Sequence, residues 1–343
     1  MKNKLNVAVI GAGIMAQLHM KGVMAYPNAE LYAICDIAQE RIDAIEKGIT
    51  AQKYCNDYME LVNDKELDAV VLVVPDQLHC EMTKAFLKAG KAVLCEKPMA
   101  LFMEECEEML RCERETNGKL MIGQICRSTP AFKMAKQIID DGRIGELFFV
   151  ESEYAHNYDN ARGYKDWRVV PERNGFIGGG CHAVDLLRWI AGNPTEVSAI
   201  SNHKCMLDWP TNDMTVALYK FPNDVAGKVF CSTGCRRSYT MRSVFYGTKG
   251  TIICDNTSST MQLFSKDEPF EDGKPDYQKP HIIDIPTESH NATDEIRSFL
   301  DAVINEKPMP VSSIDGASTV AVACATLKAA ESGKVEKIEY PKA

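Results

Sequence analysis

The sequence predicts an α/β chain with two domains. An N-terminal doubly wound parallel sheet is expected over residues 1–124, and an α+β domain with a large, mainly antiparallel open sheet over 125–343. Three observations carry this reading. Up to residue 122, short apolar strands alternate with amphipathic helical patterns. The stretch Ala69-Val70-Val71-Leu72-Val73-Val74 is apolar without alternation, as a parallel strand covered on both faces requires. After Ser128-Thr129-Pro130 strand-like stretches dominate, punctuated by turns such as Pro222-Asn223-Asp224 and Gly247-Thr248-Lys249-Gly250. A chain of 343 residues also suits two cores better than one.

In the first domain, strands are expected at 5–10, 30–35, 69–74, 91–95 and 119–122. The first runs into Gly11-Ala12-Gly13-Ile14-Met15-Ala16, a glycine turn followed by a helical pattern. This is the dinucleotide fingerprint of a Rossmann domain, with alanine in place of the third glycine. Gly11 permits the tight turn, Gly13 lets the backbone approach a pyrophosphate, and Ala16 keeps the helix close to the sheet. The phosphates then meet the free N–H groups at the helix start, beside Ile14 and Met15. The second strand ends in Asp36-Ile37, at the separation where a carboxylate receives the adenosine ribose hydroxyls. The expected cofactor is therefore NAD rather than NADP, although Arg41, one turn into the following helix, could tolerate a 2′-phosphate. Ligands gather at the carboxyl ends of parallel strands, and Pro75-Asp76, Glu96-Lys97-Pro98 and Gly123-Gln124 all fall there.

The second domain is expected to contain a helix over 131–140, a strand over 147–154 and a polar aromatic loop reaching Gly180. A helix from His182 to Ala191 follows, then strands between 197 and 285, and closing helices near 293–305 and 315–332. A composition of 45% hydrophobic and 25% charged residues is that of a globular protein. The net charge of -9, with no local basic stripe, argues against nucleic acid or an anionic membrane as partner and for small-molecule work. No apolar run approaches the roughly twenty residues of a membrane span. The basic-then-apolar start is broken by the glycine turn, with no cleavage site after it. The 13 cysteines are odd in number and lack paired spacing, so buried reduced thiols and a cytoplasmic setting are expected. Cys231 and Cys235 have no second pair and Cys181-His182 are adjacent, so no metal site is expected.

Taken together, Gly11 to Ala16, Pro75-Asp76-Gln77-Leu78-His79, Glu96-Lys97-Pro98, Trp167-Arg168, Gly179-Gly180-Cys181-His182-Ala183-Val184-Asp185 and Gly247 to Gly250 resemble the glucose-fructose oxidoreductase, inositol dehydrogenase and rhizopine-catabolism (Gfo/Idh/MocA) family over essentially the full chain. The resemblance implies that Lys97 reaches the substrate hydroxyl and the nicotinamide ribose, with a cis peptide before Pro98. It makes His182 the acid/base or hydroxyl-binding partner of Lys97. It places Pro75, His79, Glu96 and Gln124 with the fingerprint residues at the cofactor, and Arg127, Tyr154, His156, Tyr158, Trp167, Arg168 and Asp185 at the substrate. An ammonium beside a cofactor can remove or stabilise charge on oxygen while the carbon-bound hydrogen leaves as hydride.

One departure stands out. Many relatives carry an aspartate four residues before the histidine, and here that position is Gly178. The expected function is an NAD-dependent dehydrogenase that oxidises a secondary hydroxyl of a sugar, glycoside or cyclic polyol to the ketone, reversibly. Two alternatives stand beside it. One is an NAD-dependent glycosidase working by transient oxidation and elimination, favoured if loss of the carboxylate opens the pocket to a glycoside. The other is a non-catalytic sensor that binds NAD and a sugar. The resemblance also implies a homo-oligomer, a dimer or tetramer formed through the outer face of the second-domain sheet.

Overall fold

The structure, a computed structural model, describes residues 4–159 and 167–342. The chain divides into two compact units, one reaching Gln124 and taking in Asn291–Val320, the other formed by Ile125–His290 and Ala321–Lys342.

The first unit is built on six parallel strands, β1 (Leu5–Ile10), β2 (Ala29–Cys35), β3 (Lys53–Cys55), β4 (Ala69–Leu72), β5 (Ala92–Glu96) and β6 (Leu120–Gly123), in the order β3-β2-β1-β4-β5-β6. That order, reversing beside β1, is the doubly wound arrangement, with its ligand edge at the carboxyl ends of the strands. Every residue of β4 is fully buried, which explains its unbroken apolar run. The sequence shows no signal for β3, because it is three residues long and Lys53 and Tyr54 face solvent. The connecting helices are α1 (Ile14–Ala25), α2 (Gln39–Asp43), α3 (Met59–Val62), α4 (His79–Lys88) and α5 (Met103–Thr116).

The second unit contains α6 (Pro130–Asp140) and α7 (Cys181–Ala191), and α8 (Ala292–Ile304) and α9 (Ser313–Ser332) follow it in the chain. α8 packs in the first unit, whereas the sequence division assigned it to the second domain. The cause is local: Gly22 of α1 lies so close to α8 that an added Cβ would meet Ile296 at 3.1 Å and the Ala292 carbonyl at 3.2 Å. Chain order carries no trace of that return crossing.

The sheet of the second unit has nine strands: β7 (Leu147–Ala155), β8 (Glu196–Asn202), β9 (Met214–Lys220), β10 (Ala226–Ser232), β11 (Ser243–Gly247), β12 (Gly250–Cys254), β13 (Thr260–Ser265), β14 (His281–Asp284) and β15 (Glu336–Lys337). Their order is β14-β13-β12-β11-β7-β10-β9-β8-β15, antiparallel throughout except for the β7–β10 pair. Its inner face is a register-matched row, Val150, Phe245, Ile252 and Leu263, all buried. α7 covers β7 and β10 on that face. A π-helical turn, Phe176–Gly180, runs directly into α7 where the sequence had suggested loop. Three consecutive glycines hid it, since their helix propensity is poor.

Candidate active site

The glycine turn is shaped for a ligand with a phosphate backbone. Gly11 has φ +102°, donates its N–H to the Cys35 carbonyl at 2.7 Å, and would place a Cβ only 2.1 Å from the Val73 carbonyl oxygen. Glycine is thus required there by the protein's own backbone. Gly13 is different: a Cβ on it would meet nothing within 4 Å, so the space in front of it is open to a ligand. Ala16 is fully buried in the first turn of α1, and Met15 is half-buried. The Asp36 carboxylate accepts the Ala12 N–H at 2.8 Å and the Ala38 N–H at 2.9 Å, which braces it against the turn. Arg41 lies 3.8 Å from it. Ile14 and Ile37 expose large apolar side chains, 76% and 88% accessible, where a flat base would find cover. Pro75 opens the short turn that follows β4. At the end of β6, Gln124 is buried and neither its Oε1 nor its Nε2 has a hydrogen-bond partner among the described residues. A buried amide left so costs about 1–3 kcal/mol, which a polar ligand would recover. These features fit a dinucleotide.

Lys97 follows β5 and is half-buried, with a cis peptide to Pro98. Its neighbour Glu96 is held at both oxygens. Oε1 lies 2.8 Å from Nε2 of the fully buried His19, and Oε2 accepts the Lys97 N–H at 3.0 Å. Burial pushes the Glu96 carboxyl up, but the hydrogen bond and charge of His19, together with Lys97, outweigh it and hold the group below the usual carboxylate range. His79, expected at the cofactor, instead directs Nδ1 to the Pro98 carbonyl at 2.8 Å and Nε2 to the Val74 carbonyl at 3.2 Å. It is fully buried and ties the Lys97–Pro98 segment to the chain leaving β4.

In the second unit, His182 stands in the first turn of α7. Its Nδ1 is 3.5 Å from the Cys126 thiol, and its ring stacks on Tyr154 with centroids 5.8 Å apart. The Tyr154 hydroxyl reaches His156 Nδ1 at 3.0 Å and the Tyr158 hydroxyl at 2.8 Å. Tyr239 and His290 complete this aromatic and imidazole cluster, His290 stacking on Tyr239 and meeting His182 edge-on at 6.2 Å. His290 carries no motif signal, because only the fold brings residue 290 beside residue 182. Arg127 and Asp185, expected at the substrate, bind each other in a bidentate pair at 2.7 and 2.8 Å, with Asp185 fully buried. That pair joins the segment Ile125–Ser128 to α7 and so fixes the helix that carries His182. The expected substrate loop from Tyr154 to Trp167 lies outside the described residues over 160–166.

Trp167 carries two guanidinium groups over its ring, Arg168 at 4.0 Å and Arg173 at 4.9 Å. The second of these corrects an expectation at Gly178. An added Cβ there would lie 2.3–2.6 Å from the guanidinium atoms of the buried Arg173. The space released by the missing carboxylate is filled by a cation, so the pocket is not opened at this position.

Two family models match the chain: one described as an oxidoreductase family with an NAD-binding Rossmann fold, over residues 5–124, and the GFO/IDH/MocA C-terminal domain, over 132–253. The chain belongs to the Gfo/Idh/MocA family. As a Gfo/Idh/MocA protein it is an NAD-binding oxidoreductase. Among curated relatives, scyllo-inositol 2-dehydrogenase (NAD(+)) of Bacillus subtilis is 26% identical, the match covering 100% of this chain and 99% of that protein. Inositol 2-dehydrogenase of Rhizobium meliloti is 28% identical over 93% of this chain and 95% of its own. Among solved structures, levoglucosan dehydrogenase in complex with NADH superposes with a TM-score of 0.88 at 20% identity, covering 98% of this chain and 100% of that one. That likeness establishes the shared fold.

Proposed function

We propose that this Gfo/Idh/MocA protein is an NAD-dependent dehydrogenase that oxidises a secondary hydroxyl of a sugar, glycoside or cyclic polyol to the ketone, reversibly. The observation that supports it most is Lys97 at the ligand edge of the NAD-binding sheet, its neighbouring carboxylate clamped by His19, in a chain whose full-length relatives include proteins named inositol dehydrogenases. Bound NAD supplies the hydride acceptor. Lys97 takes the hydroxyl proton as the carbon–hydrogen bond breaks, and Glu96 orients it through the Lys97 N–H. His182, its Nδ1 turned to Cys126, binds or protonates a substrate oxygen. The Tyr154, His156, Tyr158 and Tyr239 rings offer flat faces and hydroxyl partners to a polyol. The braced Asp36 favours NAD over NADP.

The outer face of the second-unit sheet presents Ile200, Leu218 and Ile282, all more than half exposed, and is our proposed surface for homo-oligomer formation. Light scattering on the purified protein reads the oligomer directly. Thirteen free thiols suit a reducing cytoplasm.

The deciding experiment incubates the protein with NAD and a panel of inositols, free sugars, glycosides and anhydrosugars, following NADH absorbance and product mass together. NADH rising with a product two hydrogens lighter supports the dehydrogenase. Aglycone release without NADH supports the glycosidase instead, a reading that has lost its open pocket at Gly178. Binding of NAD and a sugar without turnover supports the sensor.

A further inference from the structure

Behind Lys97 lies a cluster that the proposed chemistry does not use. Glu295, on α8, is buried, and neither of its carboxyl oxygens has a hydrogen-bond partner among the described residues. It sits with His19 of α1 and Glu96 of β5 so that one nitrogen or oxygen of each lies within 4.8 Å of the others. The two carboxyl groups are held very differently. Glu96 has an imidazole on one oxygen and an amide N–H on the other. Glu295 has neither, and a carboxylate stripped of partners in the protein interior does not keep its charge. Of the two carboxyl groups, Glu295 is therefore the one that holds a proton. The groups acting on it agree: burial first and the Glu96 charge next push its carboxyl well above the usual range, Lys97 opposes them, and Asp294 on the same helix adds to the rise.

We propose that Glu295 is a buried neutral acid that sets the proton affinity of Lys97. This rests on the role given to Lys97 above. While Glu295 stays neutral, Glu96 carries the negative charge of the two, held against His19 and the Lys97 N–H. When Glu295 ionises, at a pH above the usual carboxylate range, a second negative charge enters a dry site, and a nearby ammonium then holds its proton more tightly. Lys97 becomes a poorer acceptor for the hydroxyl proton, so oxidation slows just where rising pH would otherwise accelerate it. Glu295 touches no reacting atom in this scheme and acts as a positioning residue.

Two measurements test the assignment. Infrared spectra at a pH above the usual carboxylate range should show the carbonyl stretch of a protonated carboxylic acid, shifted by carboxyl-13C glutamate labelling and absent from Glu295→Gln. In the oxidation direction with saturating NAD, the ratio of kcat/KM for Glu295→Gln over the wild-type chain should rise about tenfold between about pH 7 and pH 10. Absence of the band overturns the neutral acid. A flat ratio overturns its control of Lys97. A stoichiometric divalent metal that the wild-type protein carries and Glu295→Gln loses overturns both, since a bound cation would hold both carboxylates ionised. If Glu295→Gln does not fold, Glu295→Met replaces it, and the labelled wild-type band still decides the protonation state. An active Lys97→Met would instead remove the proposed role of Lys97 and leave the infrared result standing.

Discussion

Each unit buries a cluster of charged groups, and the two clusters are built in opposite ways. In the second unit, Asp185 is fully buried but receives two hydrogen bonds from Arg127, with Arg188 3.6 Å away. Its charge is satisfied, and the cluster behaves as a rivet between α7 and the segment before α6. In the first unit, His19, Glu96 and Glu295 share one well-made contact, and Glu295 has no hydrogen-bond partner among the described residues. A paired buried charge holds a structure in one arrangement, whereas an unsatisfied buried acid can change protonation while the backbone stays in place. The unsatisfied cluster is the one beside Lys97, the lysine proposed to take the substrate proton.

The largest expected effect on the functional side of this contrast comes from Lys97→Met. Turnover should fall by about 10²–10⁴-fold, the usual worth of a positioned acid–base group, while NAD affinity read by fluorescence titration stays within a small factor. Full activity would remove Lys97 from the mechanism. On the structural side, Arg127→Ala should cost about 3–5 kcal/mol in denaturant unfolding, because Asp185 would be left charged and buried. Arg127→Lys should recover only part of this, since an ammonium cannot make the two-pronged contact.

The glycine turn gives a smaller effect with the same logic. Gly11→Ala should destabilise the protein by about 1–3 kcal/mol or more, through both a left-handed backbone and the Val73 carbonyl. Gly13→Ala should leave the melting temperature nearly unchanged and weaken NAD binding, because its Cβ meets only the open space. Equal stability losses for the two would show that Gly13 serves the fold.

A similar magnitude, about 1–3 kcal/mol, is expected for Gly178→Ala, relieved in a Arg173→Ala background if the guanidinium is what the methyl meets.

The smallest effect sharpens the comparison at Glu295. Its folded-state pKa is raised, so between the ordinary carboxylate range and that raised value the folded chain binds a proton that the unfolded chain has released. Stability therefore falls as pH rises through this window and levels off above it. Glu295→Gln has no such proton to lose, so its stability relative to the wild type should increase from acid toward alkaline pH. A pH-independent difference would mean that Glu295 titrates normally.

Much of the first unit was legible because its determinants are local. The glycine turn, the apolar run of β4 and the Glu96-Lys97-Pro98 segment each announce themselves within a few residues, since backbone sterics and two-sided burial act on neighbours in the chain. The mainly antiparallel second sheet was legible for the same reason. β3 was not, as three half-exposed residues carry no pattern, and neither was the π-helical turn, whose glycines favour no regular structure.

The sequence by itself determined the family, the NAD-binding sheet and the lysine at its ligand edge. Tertiary structure alone decided which polar residues spend their hydrogen bonds on one another. His79 closes on two carbonyls, Arg127 closes on Asp185, Arg173 fills the space over Gly178, and Glu295 arrives beside Glu96 from almost two hundred residues away. Short motifs encode backbone shape, which is local. Whether a buried charge is paired, displaced or left to hold a proton depends on what the rest of the chain brings within a few ångströms of it, and no spacing in the sequence records that distance.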